Sequence, residues 1–300
     1  MKIAYFGLPL GALLLASDGQ QLVLSVLSPV EAPGRRRLAR LGVDSIDTLA
    51  SEEPFELEVD RRLAATPPDL LVSWFWTRRL PERWLRAARL GAIGAHPSLL
   101  PRHRGPNPYF WTIDSGDELA GVTIHRLNAE YDTGVMLARH AIPVGSRDAW
   151  QLARALDRPA LSVLRSVVGS MARGEPLTET PQDDAQAQAT WAPEPSGDQL
   201  RVDFGWTTER ILRRIRALSP TPGLALEVAG VPLFVTRAEP APRAAIVEAL
   251  LPGEADLRSA LLLRTGDGAV RVSGAYFPDQ DASETTSAAV LARLRSALAP

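Results

Sequence analysis

The 300-residue chain has no cysteine. That excludes a disulfide framework, a thiolate nucleophile and any zinc site built on cysteine. Lysine is almost absent too, with Lys2 the only one, so nearly all positive charge is arginine. No apolar run approaches the ~18 residues that a membrane helix needs. The opening Met1-Lys-Ile-Ala-Tyr-Phe-Gly7 is too short and too interrupted for a secretory signal. A cytoplasmic protein with no membrane partner is the expectation. The formal net charge is −2, so no overall field draws the chain to nucleic acid.

What is present describes an ordinary globular protein, with enough length for two domains. Lys2 to Phe6 reads as a buried strand, and Gly7-Leu-Pro9 as its turn into a helix over Leu10 to Ser17. Gln21 to Ser28 and Asp69 to Trp76 read as further strands, and Phe55 to Ala65 as an amphipathic helix. Pro81 sits where a helix begins. Apolar runs alternating with helical stretches through residue 145 predict a mostly parallel α/β sheet, with ligands beyond the carboxyl ends of its strands. Asp148 and Gln151 form a capping-box pattern ahead of a long helical stripe, which Pro159 should kink or split.

Composition changes over residues 181–203. Residues 186–203 read as a linker between a catalytic domain over 1–185 and a second domain over 204–300. In the latter, a helix over Thr207 to Leu218 precedes short alternating strands punctuated by Gly230 and Gly266-Asp-Gly268, the pattern of a small β-barrel. Ser283 to Leu298 suits a closing helix.

The chemistry gathers in one place. All four histidines (His96, His103, His125, His140) and both asparagines (Asn107, Asn128) fall between residues 96 and 140. His96 ends an apolar strand and Asp132 follows another. A histidine held beside a carboxylate can stabilise a tetrahedral oxyanion while the carboxylate takes a proton from an attacking amine. Four scattered histidines without tight ligand spacing do not predict a metal site. His125 reads either as lining the same cleft or, by preference, as a strand histidine satisfied by its neighbours, and Ser98 as a cap for local backbone.

His96, Ser98-Leu-Leu-Pro101, Arg104-Gly105, Gly121-Val-Thr-Ile124 and Asp132-Thr-Gly134 together resemble the folate-dependent formyltransferase family. Its members include methionyl-tRNA formyltransferase, amino-sugar formyltransferases and the hydrolase domain of formyltetrahydrofolate dehydrogenase. The resemblance is strong over 90–145 and moderate elsewhere. It implies a Rossmann-like formyltransferase domain followed by an OB-like barrel, with 10-formyltetrahydrofolate as formyl donor. It implies catalytic roles for His96 and Asp132, pterin contacts at Arg79, Leu80 and Asp132, and acceptor contacts at Ser98, Arg104 and Asn107.

One position departs from the pattern. Gly94 stands where the family carries an asparagine whose amide donates to the formyl oxygen. Losing such a donor costs roughly 10²–10³ in rate. Water, Asn107 or Asn128 could fill the vacancy. Alternatively the chain performs slower or different chemistry, as a weakened folate-binding homologue or a 10-formyltetrahydrofolate hydrolase. If the glycine is a simple substitution, Gly94→Asn should raise the rate. The residues from Arg201 onward carry twelve arginines against eleven acidic residues, a net of +1. A barrel gripping tRNA should be more basic. The charge count therefore favours a small-molecule amine, an amino sugar or amino acid, over methionyl-tRNA as the acceptor.

Overall fold

A computed structural model describes residues 1–28, 33–48, 55–76, 78–183, 189–242, 250–279 and 286–297. The chain divides into two compact units. The first comprises Met1–Pro108, Ala120–Ile142 and Ala155–Ala192; the second comprises Tyr109–Leu119, Pro143–Arg154 and Pro193–Pro300.

The first unit is organised on a seven-stranded sheet. Its strands are β1 (Lys2–Gly7), β2 (Gln21–Leu27), β3 (Ile46–Asp47), β4 (Leu70–Trp74), β5 (Ala92–His96), β6 (Leu119–Arg126) and β7 (Met136–Pro143), in the order β3-β2-β1-β4-β5-β6-β7. The pairs from β3 to β5 are parallel, and β6 joins β5 antiparallel. Strands buried on both faces have no need of polar alternation, which is why they read as continuous apolar runs. Their side chains still alternate: Ile3 and Tyr5 enter one core with Leu70, Val72, Trp74, Ile93, Val122 and Ile124. Ala4 and Phe6 enter the other with Leu71, Leu85 and Trp84, where the Phe6 and Trp84 rings stack at 5.4 Å.

Helix α1 (Pro9–Ser17) starts on its proline, and α2 (Arg35–Arg40) carries Arg35, Arg36, Arg37 and Arg40. Helix α3 (Glu56–Ala65) buries Val59 and Leu63. Pro81 caps only one turn, α4 (Glu82–Leu85). Helix α5 (Pro108–Asp114) follows β5, and α6 (Ala149–Arg173) opens on the expected capping box. Of the two effects expected of Pro159, a split does not occur: α6 runs through it as one helix of 25 residues. No described helix is long and apolar enough to cross a membrane.

In the second unit, α7 (Thr208–Ala217) is capped by the Thr207 hydroxyl. A five-stranded antiparallel sheet follows, with order β10-β11-β12-β9-β8. Its strands are β8 (Leu224–Val228), β9 (Val231–Pro240), β10 (Ala255–Asp256), β11 (Leu262–Arg264) and β12 (Ala269–Tyr276). Register shifts around Gly274 bend β12 against β9, as bulges do, consistent with an OB-like domain. The closing helix α8 spans Ser287–Ala297; the start of the expected range, Ser283, lies outside the described residues.

Within this unit Asp114 is 4% exposed and is held by two guanidinium groups. Arg210 donates to both its oxygens, at 2.5 and 2.9 Å. Arg214, itself buried on α7, does so at 2.6 and 3.1 Å. Burial pushes the Asp114 carboxyl up, but the hydrogen bonds from Arg214 and Arg210 outweigh it and hold the group below the usual carboxylate range.

Candidate active site

The pleat of two antiparallel strands assembles the site. Residues two apart on a strand share a face, so Gly94 and His96 of β5 face the same way. Their ladder partners on β6 are His125 and Thr123, which present that same face. The loop from Leu127 to Val135 then folds back and sets Asp132 between the two imidazoles. The backbone of Gly134 passes so close to Arg126 that a Cβ would lie 1.9 Å from the Arg126 carbonyl oxygen, which only glycine permits. Asp132 itself is left-handed, with φ 55°.

The Asp132 carboxylate is 15% exposed and has three polar neighbours. Oδ2 accepts from the Gly105 backbone N–H at 2.9 Å and lies 3.4 Å from His96 Nδ1. Oδ1 lies 3.5 Å from His125 Nε2. The two rings stand edge to face, with centroids 6.4 Å apart. Each ring has its other nitrogen committed: His96 Nε2 lies 2.8 Å from the His103 carbonyl, and His125 Nδ1 lies 2.9 Å from the Arg126 carbonyl. A carbonyl only accepts, so both of those nitrogens carry hydrogen. The hydrogen on His96 Nε2, a donor for the expected oxyanion, is thus engaged by the protein.

Burial pushes the His125 imidazole down from 6.5 to about 4. Asp132 pulls it up, His96 pulls it down, the bond to the Arg126 carbonyl pulls it up and Arg104 pulls it down. Sequence reasoning left His125 two places, along the same cleft or, by preference, as a satisfied strand residue. The signal that could have found it is the alternation Val122-Thr-Ile-His125, with apolar residues on one face and His125 on the other; the cross-strand register supplies the rest.

At the asparagine position, a Cβ on Gly94 would lie 2.7 Å from Leu127 Cδ2 and 3.4 Å from both Leu127 Cγ and His125 Nε2. The Leu127 side chain therefore occupies the room beside Gly94. Asn128 is engaged in its own loop: its amide donates to the Thr133 hydroxyl at 2.9 Å, and its carbonyl oxygen accepts from the Glu130 N–H at 3.2 Å and the Thr133 hydroxyl at 3.1 Å. Asn107 is half-buried, and its backbone N–H donates to the Ala192 carbonyl.

The remaining expected residues surround this centre. Ser98 is buried, and its hydroxyl donates to the Arg102 carbonyl at 2.7 Å, turned into its own loop. Arg104 donates to the Gln182 side chain at 3.0 and 2.8 Å, and Gln182 in turn donates to the Asp132 and Gly134 carbonyls. The backbones of Thr190 and Ala192 pair with Arg104. Part of the stretch expected to be a linker thus packs along the 101–107 loop. Arg79 is exposed and its guanidinium donates to the Ala129 carbonyl. Leu80 is buried with Trp84 and Leu85. Nearby, a cavity of about 370 Å³ has Leu85, Leu90, Ala92 and Leu127 among its apolar lining and Arg86, Arg126 and Asn128 among its polar lining. That mixture suits a flat, apolar-faced ring with hydrogen-bonding edges, and the arginines suit an anionic tail. Among the described residues, no group of three or more His, Asp or Glu could hold a metal ion.

Two family models match the chain, "Formyl transferase" over residues 21–167 and "Formyl transferase, C-terminal domain" over residues 196–289. Curated relatives include a methionyl-tRNA formyltransferase of Thiobacillus denitrificans, 31% identical over 86% of this chain and 82% of that protein. One from Pseudomonas paraeruginosa is 30% identical over 93% of this chain and 92% of its own. Among solved structures, HypX from Aquifex aeolicus in complex with tetrahydrofolic acid shares the fold with a TM-score of 0.67 at 22% identity. That match covers 98% of this chain and 47% of HypX. The sugar 3N-formyl transferase WlaRD shares the fold with the same TM-score at 12% identity, over 94% of this chain and 99% of its own.

Proposed function

The chain belongs to the folate-dependent formyltransferase family, and from that premise we propose that it formylates the α-amine of methionyl-tRNA. As a member of that family it is a one-carbon transferase that takes its formyl group from formyl-tetrahydrofolate. The observation that carries the acceptor is the similarity to methionyl-tRNA formyltransferases across both domains, at 30–31% identity over most of the chain. It corrects the preference for a small-molecule amine. The physical fault in that preference lies in summing charge over a whole domain. Nucleic acid responds to the potential of one surface, and a domain near neutrality can still present a cationic face.

The geometry suits acyl transfer to an amine. A carboxylate between two imidazoles brings together groups able to take up the amine proton, and the nearby cavity of mixed polar and apolar lining suits the pterin of the donor. The test is incubation with 10-formyltetrahydrofolate and, separately, charged initiator methionyl-tRNA, methionine amide and a panel of amino sugars. Formyl-methionyl-tRNA should form with a kcat/KM far above that for any free amine. Equal transfer to methionine amide, or formate release without any amine, would reject the tRNA acceptor.

A further inference from the structure

His125 has no part in the pattern by which the chain resembles its family, yet it faces the central carboxylate. Its Nδ1 is held as a donor by the Arg126 carbonyl, so in the neutral ring Nε2 carries a lone pair. That lone pair meets Asp132 Oδ1, another acceptor, at 3.5 Å. Two acceptors so close repel unless one hydrogen lies between them. Burial keeps the ring neutral at neutral pH, with Asp132 opposing and His96 and Arg104 reinforcing the effect. The pair therefore suits a hydrogen-bearing group such as the N–H of an amine. Glycine at 94, the ladder partner of His125, adds the second half of the observation. The first carbon of any side chain there would stand 3.4 Å from Nε2.

We infer that His125 Nε2 and Asp132 Oδ1 converge on one N–H of the reacting amine, and that His125 is the base that takes its proton. This rests on the proposed formyl transfer. The amine nitrogen bonds to the formyl carbon, and its proton passes to Nε2, giving an imidazolium paired with Asp132. The bond from that carbon to the donor nitrogen then breaks, and the donor nitrogen takes the proton from the ring. One proton has moved from amine to amine, no electrons have been gained or lost, and the ring ends as it began.

The test is His125→Gln in the full-length protein, assayed with 10-formyltetrahydrofolate and methionyl-tRNA. The expected result is a kcat about 10²–10⁴-fold lower, with the KM for the formyl donor and the Tm little changed. The rate of the variant should also climb with pH where the wild type is flat, because the amine proton then leaves to solvent. Nitrogen-15 NMR of the wild type at neutral pH should show His125 protonated at Nδ1 only. If His125→Gln fails to fold, His125→Met fills the same space with an adaptable side chain and no base. A kcat within about threefold of wild type in a folded variant overturns the inference. So does a parallel fall in kcat, donor affinity and Tm in both variants, which marks a packing residue, and so does a doubly protonated ring in the NMR spectrum. A wild type that formylates no amine takes the underlying reading down with it.

Discussion

Two aspartates, eighteen positions apart in the sequence, are each clasped by two basic side chains, and the clasps differ in kind. Asp114 meets two guanidinium groups, Arg210 and Arg214, with every oxygen hydrogen-bonded. Asp132 meets two imidazoles at 3.4 and 3.5 Å, and both rings have given their other nitrogen to a carbonyl. Arginine never releases its proton in a protein, so the first cluster has one charge state and acts as a fixed joint. An imidazole, unlike a guanidinium, can take up a proton and give it back, so the second can pass a proton along. The type of cation, rather than burial alone, separates a structural carboxylate from a reactive one.

The sharpest way to break the comparison is the same substitution at both places. Asp132→Asn should lower kcat by about 10²–10⁴-fold while the protein stays folded. The amide oxygen can still accept from Gly105 N–H, and the new N–H₂ can donate to an imidazole nitrogen. Asp114→Asn should do the reverse. Its N–H₂ would face guanidinium donors and leave two cations without a counter-charge, a loss on the order of 3–5 kcal/mol in stability. Urea melts and initial rates on both variants check the pair, and a folded, fully active Asp132→Asn would erase the distinction.

A smaller effect tests the room around the reactive clasp. Gly94→Asn, expected from sequence to raise the rate, sets its Cβ 2.7 Å from Leu127 Cδ2, the far end of a half-buried side chain that must turn aside. Turning it aside should lower stability by no more than about 1 kcal/mol, the low end of overpacking costs. Leu127→Ala in the same chain should recover part of the lost stability, as thermal melts of the single and double variants would show. The smallest effect is a slope. The His125 imidazole titrates near 4 folded against 6.5 ordinarily. The unfolded chain therefore binds more protons between these values, and stability falls as pH drops from 6.5 towards 4. His125→Met should flatten that part of a stability-versus-pH curve. Asp114, shifted downwards, adds its own loss only at more acid pH, as its carboxyl protonates.

The sequence makes one clasp far more legible than the other. His96 and Asp132 each follow an apolar strand, and a parallel sheet offers its strand ends to ligands, so periodicity gave their places and the family resemblance their roles. His125 needed the antiparallel register between β5 and β6, which no local pattern encodes. Arg214 was hidden more completely. It lies among the apolar face of α7, with Ile211 and Ile215 buried beside it. Helical periodicity treats such a residue as solvated until its distant partner, Asp114, is known. Residues 189–192 misled for another reason. Their composition is that of a linker, but backbone groups pair with whatever lies alongside, and here that is the loop carrying Arg104.

The left-handed backbone at Asp132 limits which neighbouring sequences the chain can visit. Asparagine, aspartate and glycine tolerate that conformation well, and β-branched residues do not. The easiest replacements at this position are thus the ones that keep the fold and discard the carboxylate. A lineage released from selection for activity would drift first to an intact, folded protein with a silent site, and recovery of the enzyme would need aspartate again, at that same residue.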